Sequence, residues 1–331
     1  MKKILTILLT ALVALTSCRH TGTLLPSISG KAGEILLVIE KQDLDGALGA
    51  VLRESLEAEY PYLPLVEPSY TLINTTHSDF IEMFHVHRNI IFFDINPQVQ
   101  QPGVTFVQDK WAAPQIVINI AAHSSEDAIA LYKENEKRII SAIEQAERNR
   151  IVRNAIKYEN KEVSARIFPV FGGSVRVPSG YELRKLTNDF AWIEYSTRNY
   201  SEGIFLYRYP AGKDALSSRT IIAQRDKALE ANVPGPDEGS YMKTADYWTP
   251  TTEYIKYRGR EFAQTHGQWD LAGAYMGGPF VSHCFYSPDG SEIIVAEAWV
   301  YAPKTNKRQH LRKAESLLYT WTWEKDLEGE Q

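Results

Sequence analysis

The chain has 331 residues, 44% of them hydrophobic and 23% charged, and its 36 Lys and Arg against 41 Asp and Glu give a net charge of -5. That composition excludes a disordered or fibrous protein, and the acid excess excludes broad polyanion binding, so no nucleic-acid partner is expected. Only Ile4 to Leu15 is apolar over enough length to resemble a membrane segment, and it falls short of the about 20 residues that a spanning helix needs, which excludes a multi-span membrane protein.

Lys2 and Lys3 precede that apolar run, and the small residues Thr16 and Ser17 follow it just before Cys18. This is the layout of an export signal, so residues 1–17 are expected to leave the mature protein. Leu15-Thr16-Ser17-Cys18 resembles the bacterial lipobox, which implies that Cys18 is acylated and becomes the new N-terminus. Two or more acyl chains, at about 0.8 kcal/mol per buried methylene, would anchor a soluble body stably to a membrane. Arg19 is not an aspartate, which for such lipoproteins implies export to the outer membrane, and no acidic run beside Cys18 favours surface exposure. The expected address is therefore the outer membrane, facing the periplasm. Residues 18–31 are rich in Gly, Ser and Thr and read as a flexible tether. Cys284 is the only other cysteine, so acylation of Cys18 leaves no intramolecular disulfide.

From residue 32 the pattern alternates short apolar runs with helical spacing. Ile35 to Ile39, Ile90 to Phe93 and Ile116 to Ile118 predict strands buried on both faces. Leu44, Leu48, Val51, Leu52 and Leu56 predict a helix capped by Asp43 and ended at Tyr60-Pro61. A short helix carrying Phe80, Ile81 and Phe84 is expected after Ser78. A long helix is predicted from about Ser125 to about Tyr158, with Ala128, Leu131, Tyr132, Ile139, Ala142, Ile143 and Ala146 on one stripe. Glu134 with Arg138, and Glu144 with Arg148, are spaced as surface pairs on it.

Beyond residue 160 the chain becomes rich in Tyr, Trp, Phe and Val with turn residues between runs. Two antiparallel hairpins are predicted, Phe190 to Ser196 with Ile204 to Tyr209, and Val281 to Tyr286 with Glu292 to Tyr301. One helix starts near Ser217 or Ser218 and stops at Asn232-Val233-Pro234-Gly235. Another closes the chain, with Leu311, Ala314, Glu315 and Leu318 on one face and Asn306 as its cap. The fold class is α+β in two domains. Residues 32–163 form a mixed sheet covered by helices, and 164–326 a mainly antiparallel, aromatic-rich sheet with two helices.

Trp111-Ala112-Ala113-Pro114-Gln115, Arg225-Asp226, Arg258-Gly259, Trp269, Met276-Gly277-Gly278-Pro279-Phe280, Tyr301-Ala302-Pro303 and Lys307-Arg308 occur in an order that resembles one envelope-lipoprotein family, domain of unknown function 4837. The resemblance runs over nearly the whole mature chain and implies a secreted, lipid-anchored α+β protein without an established activity. The second half also loosely resembles the PsbP-like α/β sandwich, a fold of binding and assembly factors.

No strong catalytic or cofactor motif stands out, and no cofactor or metal is expected. His85-Val86-His87, near His77, Asp79 and Asp94, has zinc-like spacing only on a strand. A helix end is expected there, and it would point the two histidines about 200 degrees apart. His283 and Cys284 are adjacent on a strand and should face opposite ways, so a buried thiol is expected in place of a nucleophile. Lys304, Lys307, Arg308, His310, Arg312 and Lys313 crowd the start of the last helix, where the macrodipole disfavours cations. They read as a solvated face, or as one compensated by lipid headgroups or an acidic partner. Tyr241, Tyr247, Trp248, Tyr254, Tyr257, Trp269 and Tyr275 either pack a β-rich core or line a ligand groove.

The segment from Arg258 to Phe280 carries five glycines, and Arg258, Arg260, Trp269, Tyr275, Gly277 and Gly278 are its candidate ligand- or partner-binding residues. Glycine weakens a strand unless the backbone turns or is closely approached, and Trp, Tyr and Arg dominate recognition surfaces. The leading reading is a binding or assembly lipoprotein, held to the membrane by acyl chains and engaging an envelope protein or glycan. The alternatives are a glycan- or peptide-binding lipoprotein with an aromatic groove, and a hydrolase using acids such as Asp270, Glu253 or Glu261.

Overall fold

The computed structural model describes residues 24–327; the signal segment and Cys18 lie outside the described residues. In chain order the elements are β1 (Glu34–Val38), α1 (Lys41–Asp45), α2 (Ala47–Leu56), β2 (Thr71–Thr75), α3 (Glu82–His85), β3 (Asn89–Ile95), β4 (Gly103–Gln108), β5 (Ile116–Ala122) and α4 (Ser125–Lys157). Then follow α5 (Lys161–Phe171), β6 (Gly173–Ser174), β7 (Glu182–Leu186), β8 (Phe190–Ser196), β9 (Ser201–Pro210), α6 (Ser218–Asn232) and β10 (Tyr241–Thr244). The last are β11 (Thr251–Tyr257), β12 (Arg260–Ala272), β13 (Ala274–Tyr286), β14 (Glu292–Tyr301), α7 (Arg308–Leu318), β15 (Thr322–Trp323) and α8 (Glu324–Leu327). The fold is α+β.

The first sheet has the order β2-β1-β3-β5-β4, parallel except for β4 at its edge. Its apolar strands are covered on both faces, as continuous apolar runs require. Ile35, Leu37, Ile91, Ile118 and Ile120 pack on α2 and α4. Leu36, Val38, Ile90 and Val117 meet Phe80, Phe84, Phe92 and Trp111 on the other side. Two local expectations are corrected here. Asp43 lies inside α1 and accepts the Ser125 hydroxyl instead of capping α2. On α4, Arg138 donates to Asn135 and Glu144 pairs with Arg312, so neither surface pair forms.

α4 is capped by Ser124, whose hydroxyl accepts the Asp127 amide at 3.2 Å, and its 33 residues extend about 50 Å at 1.5 Å per residue. Its first turns pack Ala128, Tyr132, Ile139 and Ile143 on the first sheet, while Ala155 joins the core of the second. α5, which the sequence pattern does not announce, follows at once and buries Val163, Ile167 and Phe171 in that second core. A boundary at 163/164 therefore falls inside a helix.

The second sheet runs β10-β12-β13-β14-β9-β8-β7, with β11 also on β12, and all its pairs are antiparallel. Alternate side chains divide it between two cores. Ile193, Leu206, Val281, Phe285, Ala296 and Val300 face α5 and α7. Phe205, Tyr207, Trp269, Phe280, Cys284 and Trp299 face α6, whose Ile221 and Leu229 cover them. The N-cap of α6 is Ser217.

The basic start of α7 is compensated within the chain. The Glu67 carboxylate accepts the amides of Lys307 and Arg308 at 2.6 and 3.0 Å, taking the capping role expected of Asn306. Arg308 donates to the Pro68 carbonyl, and Arg312 grips Glu144 through Nη2 at 2.6 Å and Nε at 3.2 Å. A negative group at a helix N-terminus satisfies its free amides and its dipole together. Lys313 and His310 reach Glu202, so the acids that answer this cluster come from α4, β9 and the loop before β2.

Candidate functional site

The candidate binding residues do not form one site. Arg258 and Arg260 stand at the β11–β12 turn, whereas Trp269, Tyr275, Gly277 and Gly278 lie toward the opposite end of β12 and β13. Trp269 stands nine positions beyond Arg260 along β12, or roughly 30 Å. Tyr275 is fully exposed, but Trp269 is 1% exposed and donates Nε1 to the Val300 carbonyl at 3.2 Å. Gly277-Gly278-Pro279 is strand, not turn. Gly278 is there because a Cβ would sit 2.0 Å from the Val300 carbonyl oxygen. Tyr247 and Tyr254 are exposed, so the aromatic series is split between core and surface.

The acids of the hydrolase reading also stay apart. Glu261 pairs with Lys256 at 3.0 Å, Glu253 lies opposite Gln264, and Asp270 lies opposite Lys243. Asp270 is nine residues along β12 from Glu261 and six from the partner of Glu253. Those are roughly 30 and 20 Å, well beyond the about 5–9.5 Å that glycoside cleavage uses. His85 stacks on Trp111 at 5.0 Å, while buried His87 turns to the Asn89 carbonyl at 3.1 Å, so the two diverge. Cys284 and His283 occupy opposite faces of β13, and burial pushes the thiol up to about 12, which suppresses thiolate chemistry.

Arg258 and Arg260 do share a cavity of about 450 Å³, together with Arg176, Tyr257, Tyr319 and Trp321. The β11–β12 turn places two residues at positive φ, Arg258 at 47° and Gly259 at 82°, the requirement of a two-residue type I′ hairpin. Glycine and asparagine suit that first position, and a long side chain there is strained. Arg258 extends over the Tyr257 ring at 5.3 Å. Arg260 donates Nη2 to the Trp321 carbonyl at 2.5 Å, and burial lowers its pKa. Arg176 pairs with Glu159 at 3.4 Å. Tyr257 meets Tyr319 edge-on at 4.8 Å, and Arg148 stacks on Tyr319 at 3.8 Å. His283 forms the floor against Phe262 at 4.2 Å, its pKa held well below the usual histidine range by burial. Among the described residues no Asp or Glu lines the cavity, and the nearest acid acting on Arg260 is Asp326 of α8. Guanidinium groups over aromatic faces suit an anionic group on a planar or apolar body.

Arg176, Tyr319 and Trp321 have no sequence signal, and Arg148 stands out only as a surface partner for Glu144, because β12, α4, the segment after β6 and the segment after α7 converge only in the fold. Behind the cavity Glu315 accepts Gln264 Nε2 at 3.1 Å, and burial, opposed by Arg148, raises its pKa to about 7. A carboxyl raised from 4.5 favours folding below the lower value, and that contribution is lost as pH rises through the upper one. Glu315→Gln should therefore stabilise the protein at pH 8 by on the order of 1–3 kcal/mol and leave it nearly unchanged at pH 4. Urea unfolding at both pH values checks this; an equal effect at the two would show that the carboxyl is not raised.

Residues 160–320 match the family described as Domain of unknown function (DUF4837), and residues 28–155 match a second, Domain of unknown function (DUF8532). The likeness read over nearly the whole chain thus divides into two unknown-function families, and Trp111 to Gln115 belong to the stretch matched by the second. No curated protein matches. Among solved structures, the Ran-binding protein Mog1p of Saccharomyces cerevisiae is 10% identical, with a TM-score of 0.31 over 46% of this chain and 90% of its own. LpqN of Mycobacterium tuberculosis, described as involved in cell envelope biogenesis, is 13% identical, with a TM-score of 0.28 over 45% of this chain and 82% of its own. A Bacteroides thetaiotaomicron protein is 11% identical, with a TM-score of 0.26 over 46% and 44% of the two chains.

Proposed function

We propose that the chain is a binding lipoprotein of the cell envelope, anchored through acyl chains on Cys18, and that its recognition site is the cavity between Arg258, Arg260 and Tyr257. The outer membrane, on the periplasmic side, is the address that the lipobox-like segment supports. One observation carries the binding reading: three arginines and, among the described residues, no carboxylate line one cavity in a chain whose net charge is -5. A cation concentration against the overall sign is a local device, and it selects an anionic ligand. The strained Arg258 fits the same reading, since backbone strain persists where a side chain must be held in place.

Arg258→Asn separates recognition from folding, because asparagine tolerates positive φ and removes the guanidinium. The variant should be as stable as the parent or more so, by up to about 1 kcal/mol. Its affinity for anilinonaphthalene sulfonate, an aromatic anion of suitable shape, should fall at least tenfold in fluorescence titration. Arg260→Ala should weaken binding similarly. Unchanged affinity in both variants would remove the cavity from consideration as the site.

A further inference from the structure

A second cavity, of about 630 Å³, lies beside α4 and contains Phe106, Lys137, Arg138, Gln145, Asn149 and Arg153. Its residues on α4 recur three and four apart, and the same stripe continues to Val152 and Ile156 of the first cavity. Gln145, in the wall of the second, donates Nε2 at 3.2 Å to the hydroxyl of Tyr257, in the wall of the first. The two hollows therefore meet along one helix, from Lys137 to Ile156, over about 30 Å at 1.5 Å per residue.

Charge along this path is one-sided. Lys137, Arg138 and Arg153 have no carboxylate within ion-pair distance among the described residues, and Arg138 instead lies over the Phe106 ring at 4.9 Å. Among the described residues the one acid in either wall is Asp109, which already accepts the Gln115 amide at 2.8 Å. The floor between the cations is apolar, made by Phe106, Ile116 and Ala142. One boundary is β4, the edge strand of the first sheet, whose outer side has no strand partner among the described residues. Unpaired edge backbone takes up an added strand. Gln145 Nε2 donates to Asn149 Oδ1 at 2.8 Å, which leaves Asn149 Nδ2, without a hydrogen-bond partner among the described residues, to donate to a peptide carbonyl.

We infer that this path is the docking groove for an extended acidic segment of a partner protein. The segment adds to β4 and places its carboxylates toward Lys137, Arg138 and Arg153, with its far end at Arg258 and Arg260. The inference rests on the binding role proposed for the first cavity and names the occupant. About nine residues of extended peptide fill the length, at about 3.3 Å each. Backbone pairing distinguishes such a segment from an anionic polysaccharide, which would meet the same cations without it.

The test uses the full chain and fluorescence anisotropy at low salt, with a labelled peptide of about ten residues alternating Glu and Val. This peptide should bind, and its Lys–Val counterpart should not. Lys137→Glu with Arg153→Glu, both at exposed positions, should weaken it at least tenfold while leaving the circular dichroism spectrum and anilinonaphthalene sulfonate binding unchanged. N-methylation of alternate peptide amides should weaken it comparably. If dextran sulfate binds as tightly, with N-methylation having no effect, the groove reads charge alone and the peptide assignment is overturned. If the peptide fails to bind while the sulfonate dye still does, the docking groove is wrong and the first cavity stands. Failure of both removes both.

Discussion

Trp269→Ala should lower the free energy of unfolding by about 3–5 kcal/mol, the range for deleting a large aromatic from a packed core. Trp269 lies between Trp299 at 6.2 Å and Tyr301 at 6.1 Å, and its indole N–H reaches the Val300 carbonyl. The backbone beside it is shaped around the ring, since a Cβ on Gly278 would lie 3.2 Å from Trp269 Nε1 and closer still to the Val300 oxygen. Alanine would leave a void that this rigid sheet cannot close, together with an unpaired carbonyl. Folded Trp269→Ala protein should still bind anilinonaphthalene sulfonate, because the Arg258 cavity is roughly 30 Å away along β12. Urea denaturation followed by dye titration separates the two roles. A variant that melts like the parent but loses the dye would restore Trp269 to the recognition surface.

What the sequence discloses follows the range of the forces involved. β1, β3 and β5 were legible because burial on both faces leaves an uninterrupted apolar run, and α6 because Ser217 caps it from the adjacent position. The cap of α7 was not legible, since Glu67 arrives from 240 residues away. Glu144 and Arg148 are correctly spaced for a pair, yet a tertiary partner takes each: Arg312 the carboxylate, and Tyr319 the guanidinium face. α5 is not legible because it has no side-chain cap and carries Pro169. The candidate residues separate in the fold. Arg258 and Arg260 do line a cavity, but nearness in sequence along a strand becomes distance in space, and Trp269 went to the core as large aromatics mostly do.

Arg225 and Glu297 should show the strongest coupling in the molecule. The guanidinium donates Nε to both Glu297 oxygens, at 3.1 and 3.0 Å, and Nη2 to Oε1 at 2.8 Å, with both side chains fully buried. Nη1 donates to Thr244 Oγ1 at 3.0 Å, and the Phe280 ring lies 3.7 Å from the guanidinium carbon. Burial pushes the Glu297 pKa up while Arg225 opposes the shift, so the carboxylate depends on its partner. Glu297→Leu should therefore leave a buried guanidinium with only the half-exposed Asp226, 3.5 Å from Nη1, and Arg225→Met should strand a buried carboxylate, each at a cost of about 3–5 kcal/mol. The two changes together leave no buried charge to strand, since Asp226 is 38% exposed and reaches water. The double variant should lose less than either single one, because desolvating an ion pair consumes much of its attraction and apolar side chains of similar length refill the space. Chemical unfolding of the four proteins in this cycle decides the matter. Additive losses, or single variants within 1 kcal/mol of the parent, would mean that water or a neighbouring group already compensates the pair.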